Sequence, residues 1–285
     1  MTQSTAANSN ARAPEQGRRI VHRTRGRRQG PVTVLVTPEE LGQTLKPFIV
    51  VGILDTEKAA FAGFGLHPHS GIATLTFLFE GNFGYEDTTG AAGMLPEGGV
   101  EWFKSGHGAW HAGDPAETGR ARGFQLWVAL PPEHELGPVE SVYQRPEDVV
   151  QAGPARVLMG SYGGAVSSLK APAPLNYLAV RLKEGASWLY QPPADHTTAF
   201  IALASGRVAV PEPVDAGELV IFESGSGALR LVAEADTELV LGSAAPYSHP
   251  LVSGHYSVHT SRVALEAGER RIKEIRARLH REGRL

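Results

Sequence analysis

The sequence predicts an all-β protein, and three observations carry that reading. Glycine (33 residues) and proline (20 residues) are frequent and punctuate the chain. Between them lie short apolar runs rich in branched and aromatic residues. In the clearest run, ATLTFLFEGNFGYEDTTG, Leu75, Phe77 and Phe79 alternate with Thr74, Thr76 and Leu78, the two-residue period of a strand. Gly81-Asn82 suits the positive φ of a two-residue turn, and Phe83 and Tyr85 continue the alternation, so this stretch reads as a hairpin facing a core. A Gly/Pro-rich turn over 94–99, a short strand around Val100 to Phe103, the loop SGHGAWH ending at His111 and a strand from Gly123 to Leu130 follow.

The second half repeats this layout. TTAFIALASGRVAV offers two strands around Ser205-Gly206, EPVDAGELVIF a turn and a strand, and LRLVAEADTELVLG two more. The likeness is one of pattern, and it suggests a duplicated β domain. The chain divides accordingly into a disordered tail over 1–17, a first domain over 18–150 and a second over 151–285 that includes a terminal helix. Pro131 to Ala173, rich in Pro, Glu and Gly, reads as an irregular crossover between the halves. From Arg262 to Leu285 the charged sequence carries Ile272, Ile275 and Leu279 at helical spacing, and Gly268 is expected to weaken or break the first turns of that helix.

Composition narrows the function. A chain of 285 residues with 42% hydrophobic residues can bury more than one core. With 27 Lys+Arg against 30 Asp+Glu, the net charge of -3 gives no global field for nucleic acid or an anionic membrane. The first thirty residues are Arg-rich with Glu15 as their only acid; a plain solvated tail is expected, with an edge strand with exposed arginines over VHRTRGRR as the alternative, and nucleic-acid binding is not. No apolar run is long enough to span a bilayer, and Met1 is followed by polar sequence without a signal core, so a cytoplasmic protein is expected. Cysteine is absent, which removes disulfides, thiolate nucleophiles and Cys-based zinc sites and leaves His, Asp and Glu as possible ligands.

The stretch GLHPHSGIAT concentrates that remaining chemistry. On an extended segment His67 and His69 project from one face, so both imidazoles can reach one point, and His111 in its Gly-rich loop can complete a three-imidazole cluster in a barrel mouth. In the second half PADHTT offers only His196 at the corresponding place, which cannot make such a site. His22, His134, His249, His255 and His280 show no ligand spacing, and Trp102, Phe103 and Trp110 are expected to build the core or line the mouth.

These motifs, HPHSGIATLTFLFEGNFGYEDTTG followed by GGVEWFKSGHGAWHAGDP, strongly resemble the pirin family of bicupin proteins. KPFIVVGILD upstream and HPLVSGHYSVHTSRVALEAGERRI near the end extend the resemblance over nearly the whole chain after about Gly17. It implies two cupin (double-stranded β-helix, jelly-roll) barrels packed together with a short C-terminal helix, and one divalent transition metal in the first barrel only. Iron(II) is the first choice, with nickel, manganese, copper and zinc as alternatives, and His67, His69 and His111 are the implied ligands.

One position departs from the family. Pirins read His-x-Glu where this chain has His111-Ala112-Gly113, so the implied fourth ligand and base is replaced by glycine. Three repairs are open: Asp114, adjacent but of the wrong strand parity; another side chain, with His107 on the same loop and Glu101 a third and weaker candidate; or solvent. Two functions follow from the resemblance. One is a quercetinase-type dioxygenase acting on a small aromatic, enolisable compound, with Asp114 or His107 as candidate catalytic bases. The other is a non-enzymatic regulator, sensitive to metal or redox state, that binds a protein partner.

Overall fold

The computed structural model describes residues 17–57, 63–115 and 119–285. The tail expected over 1–17 lies outside them apart from Gly17. The chain folds as two large antiparallel sheets, each faced by a smaller one. From edge to edge the first large sheet runs Glu140–Gln144, Val100–Lys104, Ile72–Glu80, Arg120–Ala129, Phe48–Glu57, Val32–Val36, Arg27–Gln29. The second runs Ile20–Thr24, Leu219–Phe222, Thr198–Ser205, Thr237–Ala244, Leu175–Leu182, Ala155–Met159, Gln151–Ala152. The small sheets run Phe64–His69, Ala109–Pro115, Phe83–Asp87, Ala92–Leu95 and Ser187–Tyr190, Leu229–Ala233, Arg207–Val210, Glu212–Asp215. Apart from one edge strand of each large sheet, Glu140–Gln144 and Ile20–Thr24, the orders match, so the repeat seen as a pattern of residues is a repeat of strand layout.

The two large sheets pack back to back. Leu75, Phe77, Phe79, Phe124 and Leu126 from the first and Tyr177, Phe200 and Val240 from the second share one buried core, with Phe48 edge-on to Phe200 at 5.2 Å. This explains the alternation in ATLTFLFE. Leu75, Phe77 and Phe79 enter the core between the sheets, while Leu78 packs inside the first barrel and Thr74 and Thr76 are buried beside it. Every residue of the strand but Glu80 is buried, because both of its faces are covered.

The expected hairpin does not form. Ile72–Glu80 pairs with Val100–Lys104 and Arg120–Ala129, whereas Phe83–Asp87 pairs with Ala109–Pro115 and Ala92–Leu95. Gly81, at φ 81, turns the chain from the large sheet into the small one, and Gly206, at φ 79, does the same in the second half. The stretch expected to be an irregular crossover also differs, since Glu140–Gln144 joins the first large sheet and Ala155–Met159 the second.

The ends of the chain are exchanged. Ile20–Thr24 pairs with Leu219–Phe222 in the second sheet, so this first strand lies with the second half although it precedes residue 150. Arg23 of this edge strand and Arg25 just after it meet acids of the second half, Arg23 with Glu212 and Glu218 and Arg25 with Glu218. Conversely, the helix Arg262–Arg281 lies on the first half, where Ile272, Ile275 and Leu279 pack against Trp110 and the Trp110 Nε1–H donates to the Ile272 carbonyl at 3.3 Å. The Ser261 side chain caps its first turn by accepting from the Ala264 N–H. Gly268 does not break this helix: a Cβ there would fall against Ser70 Oγ and His259 Nε2, so the glycine permits close approach. Among the described residues no helix is long and apolar enough to cross a membrane.

Candidate metal centre

Two neighbouring strands carry the three histidines. Phe64–His69 is the edge of the small sheet and pairs antiparallel with Ala109–Pro115, which places His67 opposite His111 and His69 opposite Ala109. The ring centroids lie 5.0 Å (His67–His69), 4.5 Å (His67–His111) and 5.0 Å (His69–His111) apart. One nitrogen from each ring falls within 4.8 Å of the others.

The outward nitrogens are all engaged. His67 Nδ1 meets the Gly65 carbonyl at 2.8 Å, His69 Nδ1 the Tyr256 carbonyl at 2.9 Å, and His111 Nδ1 the Glu101 Oε1 at 3.3 Å. A carbonyl oxygen only accepts, so Nδ1 of His67 and His69 carries the proton and Nε2 keeps a lone pair. His69 Nε2 and His111 Nε2 are buried without a hydrogen-bond partner among the described residues. Buried nitrogens left unpartnered cost free energy, and converging imidazole lone pairs are the donor set a divalent transition ion takes, so the residues fit the metal that the resemblance implies.

Electrostatics favour the neutral form of His67 and His69. Burial first, then the neighbouring His111, hold the His67 imidazole down to about 4, and burial with both ring neighbours puts His69 well below the ordinary histidine value. Neutral imidazoles are the form that ligates.

The other candidates are placed elsewhere. Asp114 is exposed, pairs with Gly84, and sets its carboxylate where a side chain on Gly63 would have to go, away from the three rings. His107, expected near the mouth, is exposed on a turn whose N–H donates to the Gly137 carbonyl, on the side of His259. Strand parity accounts for the first and the Gly106 turn, at φ 49, for the second. Glu101 is the acid that the fold brings in. Gly113 is not an open vacancy, since a Cβ there would lie 2.5 Å from Phe83 Cε1. Glu101, His111, Gly113 and Phe83 line an inner void of about 30 Å³, room for a water or two.

Two contributors were not apparent from the sequence. Tyr256 orients His69 through its carbonyl and holds its ring 6.0 Å from both His67 and His69, with a backbone φ of 60° that non-glycine residues rarely adopt. Trp127 stands edge-to-face on His69 at 4.8 Å. With Phe64, His67, His69 and Gln125 these two line an open groove of about 550 Å³.

Comparison with known proteins agrees with this architecture. The Pirin family profile matches residues 27–128. A pirin-like protein of Caulobacter vibrioides is 31% identical over 236 residues, covering 76% of this chain and 82% of its own. Pirin of Rattus norvegicus is 30% identical over 220 residues, with 72% and 74% covered. Among solved structures, quercetin 2,3-dioxygenase from Acinetobacter baumannii superposes with a TM-score of 0.80 at 23% identity, over 90% of this chain and 95% of that one. The bacterial pirin YhhW from Escherichia coli, solved in complex with nickel(II), gives 0.61 at 19% identity, over 77% and 94%. The all-β fold of two packed cupin barrels with a terminal helix, together with these relatives, makes the chain a member of the pirin family.

Proposed function

We propose that the protein is a metal-dependent dioxygenase of the quercetinase type, with His67, His69 and His111 as ligands and iron(II), or else nickel, manganese, copper or zinc, as the ion. One observation carries the reading: three imidazoles converge with their outer nitrogens engaged, and among the described residues the inner nitrogens of His69 and His111 have no hydrogen-bond partner. A bound divalent transition ion supplies Lewis acidity toward the substrate's oxygens and a partner for dioxygen chemistry.

The chain's own residues supply the rest. A groove of about 550 Å³ is within the usual range for a small-molecule site, and Phe64, Trp127 and Tyr256 give it aromatic walls for a flat ring system. Gln125 offers both a donor and an acceptor to the oxygens on such a ring. Asp114 and His107 do not reach the cluster as bases, so the substrate is an acidic enol or phenol that enters already ionised. The name of the Acinetobacter relative supports a flavonol as the first compound to try.

The test is oxygen uptake with quercetin after loading with each metal in turn and measuring metal content. Uptake with at least one metal, lost in His67→Ala and His111→Ala, is the expected result. Full occupancy without uptake for every metal overturns the enzymatic reading. A protein-partner role is the second reading, favoured by the terminal helix, where Arg270, Lys273, Arg276 and Arg281 form no ion pair among the described residues. Capture of an acidic partner by the intact but not the metal-stripped protein would support it.

A further inference from the structure

We infer that Glu101 is a positioning residue of the metal centre, which holds His111 in the tautomer that frees its Nε2 and places a compensating negative charge behind that ligand. The inference rests on the metal-centre reading and goes beyond it by assigning the site's buried acid.

The strand Val100–Lys104 sets up the contact. Val100 and Trp102 face the core between the large sheets, so Glu101 and Phe103 face the other way, toward His111. The Phe103 ring lies parallel to the imidazole, 4.4 Å away at an interplanar angle of 6°, and fixes the ring plane. Glu101 Oε1, 3.3 Å from Nδ1, then fixes which nitrogen carries the proton, because a carboxylate oxygen only accepts. The backbone of Glu101 is itself clamped, paired with Thr76 on one side and Tyr143 on the other.

The environment of Glu101 makes a purely structural role a poor account. The residue is 8% exposed, and among the described residues its side chain has one hydrogen-bond partner, His111. Burying a carboxylate with a single hydrogen-bond donor, here the His111 imidazole, to satisfy it is unfavourable by itself. Beside a divalent ion on the far nitrogen of that imidazole the same charge is favourable, and a carboxylate behind a ligating histidine raises its basicity. His67 and His69 have only neutral carbonyls in that position, so Glu101 is the one acid among the three outer partners.

The experiment combines two readouts on the full chain: histidine ¹⁵N chemical shifts of the metal-free protein, and nickel(II) titration by calorimetry. Wild type is expected to show His111 protonated at Nδ1 and to bind nickel. Glu101→Gln keeps an accepting oxygen, so the tautomer is retained while nickel binding weakens. Glu101→Leu loses the tautomer, with binding weakened about 10- to 100-fold. An unchanged His111 tautomer in Glu101→Leu overturns the inference, as does nickel affinity equal to wild type in both variants. Should Glu101→Leu fail to fold, the isosteric Glu101→Gln decides by its nickel affinity alone. If wild type binds no nickel, the metal-centre reading falls, and the ¹⁵N spectra of Glu101→Leu still decide whether Glu101 positions His111.

Discussion

His69 and Tyr256 are 187 residues apart in sequence, yet the imidazole Nδ1–H of the first donates to the backbone carbonyl of the second over 2.9 Å. The backbone that presents this carbonyl is in the left-handed region, at φ 60. A side chain in that region costs about 1–2 kcal/mol, which glycine avoids. Tyr256→Gly is therefore expected to be more stable than Tyr256→Ala, by about 1 kcal/mol once the greater freedom of unfolded glycine is subtracted. Urea unfolding of the two variants checks it; Tyr256→Ala being the more stable would show that the loop is unstrained.

Acid should destabilise the metal-free protein in a defined window. His67 takes up a proton at about 4 in the folded state, against roughly 6.5 for an unfolded histidine. Between these values the unfolded chain binds more protons than the native one, so stability falls as pH drops from about 6.5 toward 4 and is indifferent to this group above that. His69, shifted in the same direction, adds to the effect. Unfolding midpoints measured across this range should show a slope that His67→Gln reduces.

Gly113 and Phe83 should behave as a coupled pair. A methyl at Gly113 meets the Phe83 ring, and overpacking of this kind costs about 1–3 kcal/mol. Gly113→Ala is expected to lower the melting temperature, and Phe83→Leu in the same chain to recover part of the loss. Additive effects of the two substitutions would show that the contact relaxes freely. A glutamate at 113 needs the same relief before its carboxylate can approach the histidines.

Gly268 gives a test in which local and tertiary effects have opposite signs. Alanine is favoured over glycine inside a helix by about 1 kcal/mol. Here the added Cβ would press on Ser70 Oγ and His259 Nε2, which lie 3.0 Å apart, with His259 Nδ1 in turn 3.2 Å from Glu135 Oε2. Gly268→Ala is expected to destabilise, by thermal melting, and Ser70→Gly to offset it in part. A net gain in stability would mean that helix propensity wins.

These residues show what could be read in the sequence and what could not. Short-range alternation identified the strands and put His67 and His69 on one face, because a two-residue period is a local property. It could not choose strand partners. Gly81 and Gly206 do make the turns expected of them, but barrel closure sends the following strands to other sheets, and no local signal distinguishes that from a hairpin. Glu101 was legible in part, since parity alone sets it opposite Val100 and Trp102. Tyr256 was not, because it contributes a carbonyl, a group every residue has. Gly268 looked like a breaker on propensity, which tertiary packing overrides.

The exchange of chain ends gives the protein a history as well as a shape. A ribosome releases Ile20–Thr24 early, but its partner, Leu219–Phe222, emerges only after the whole first half has passed. His67, His69 and His111 are likewise all outside before Tyr256 exists to orient one of them. Until then the nascent first half lacks the carbonyl that accepts from His69 and carries a strand whose partner is not yet made. Premature termination therefore leaves the early-made half without its orienting carbonyl and its covering helix.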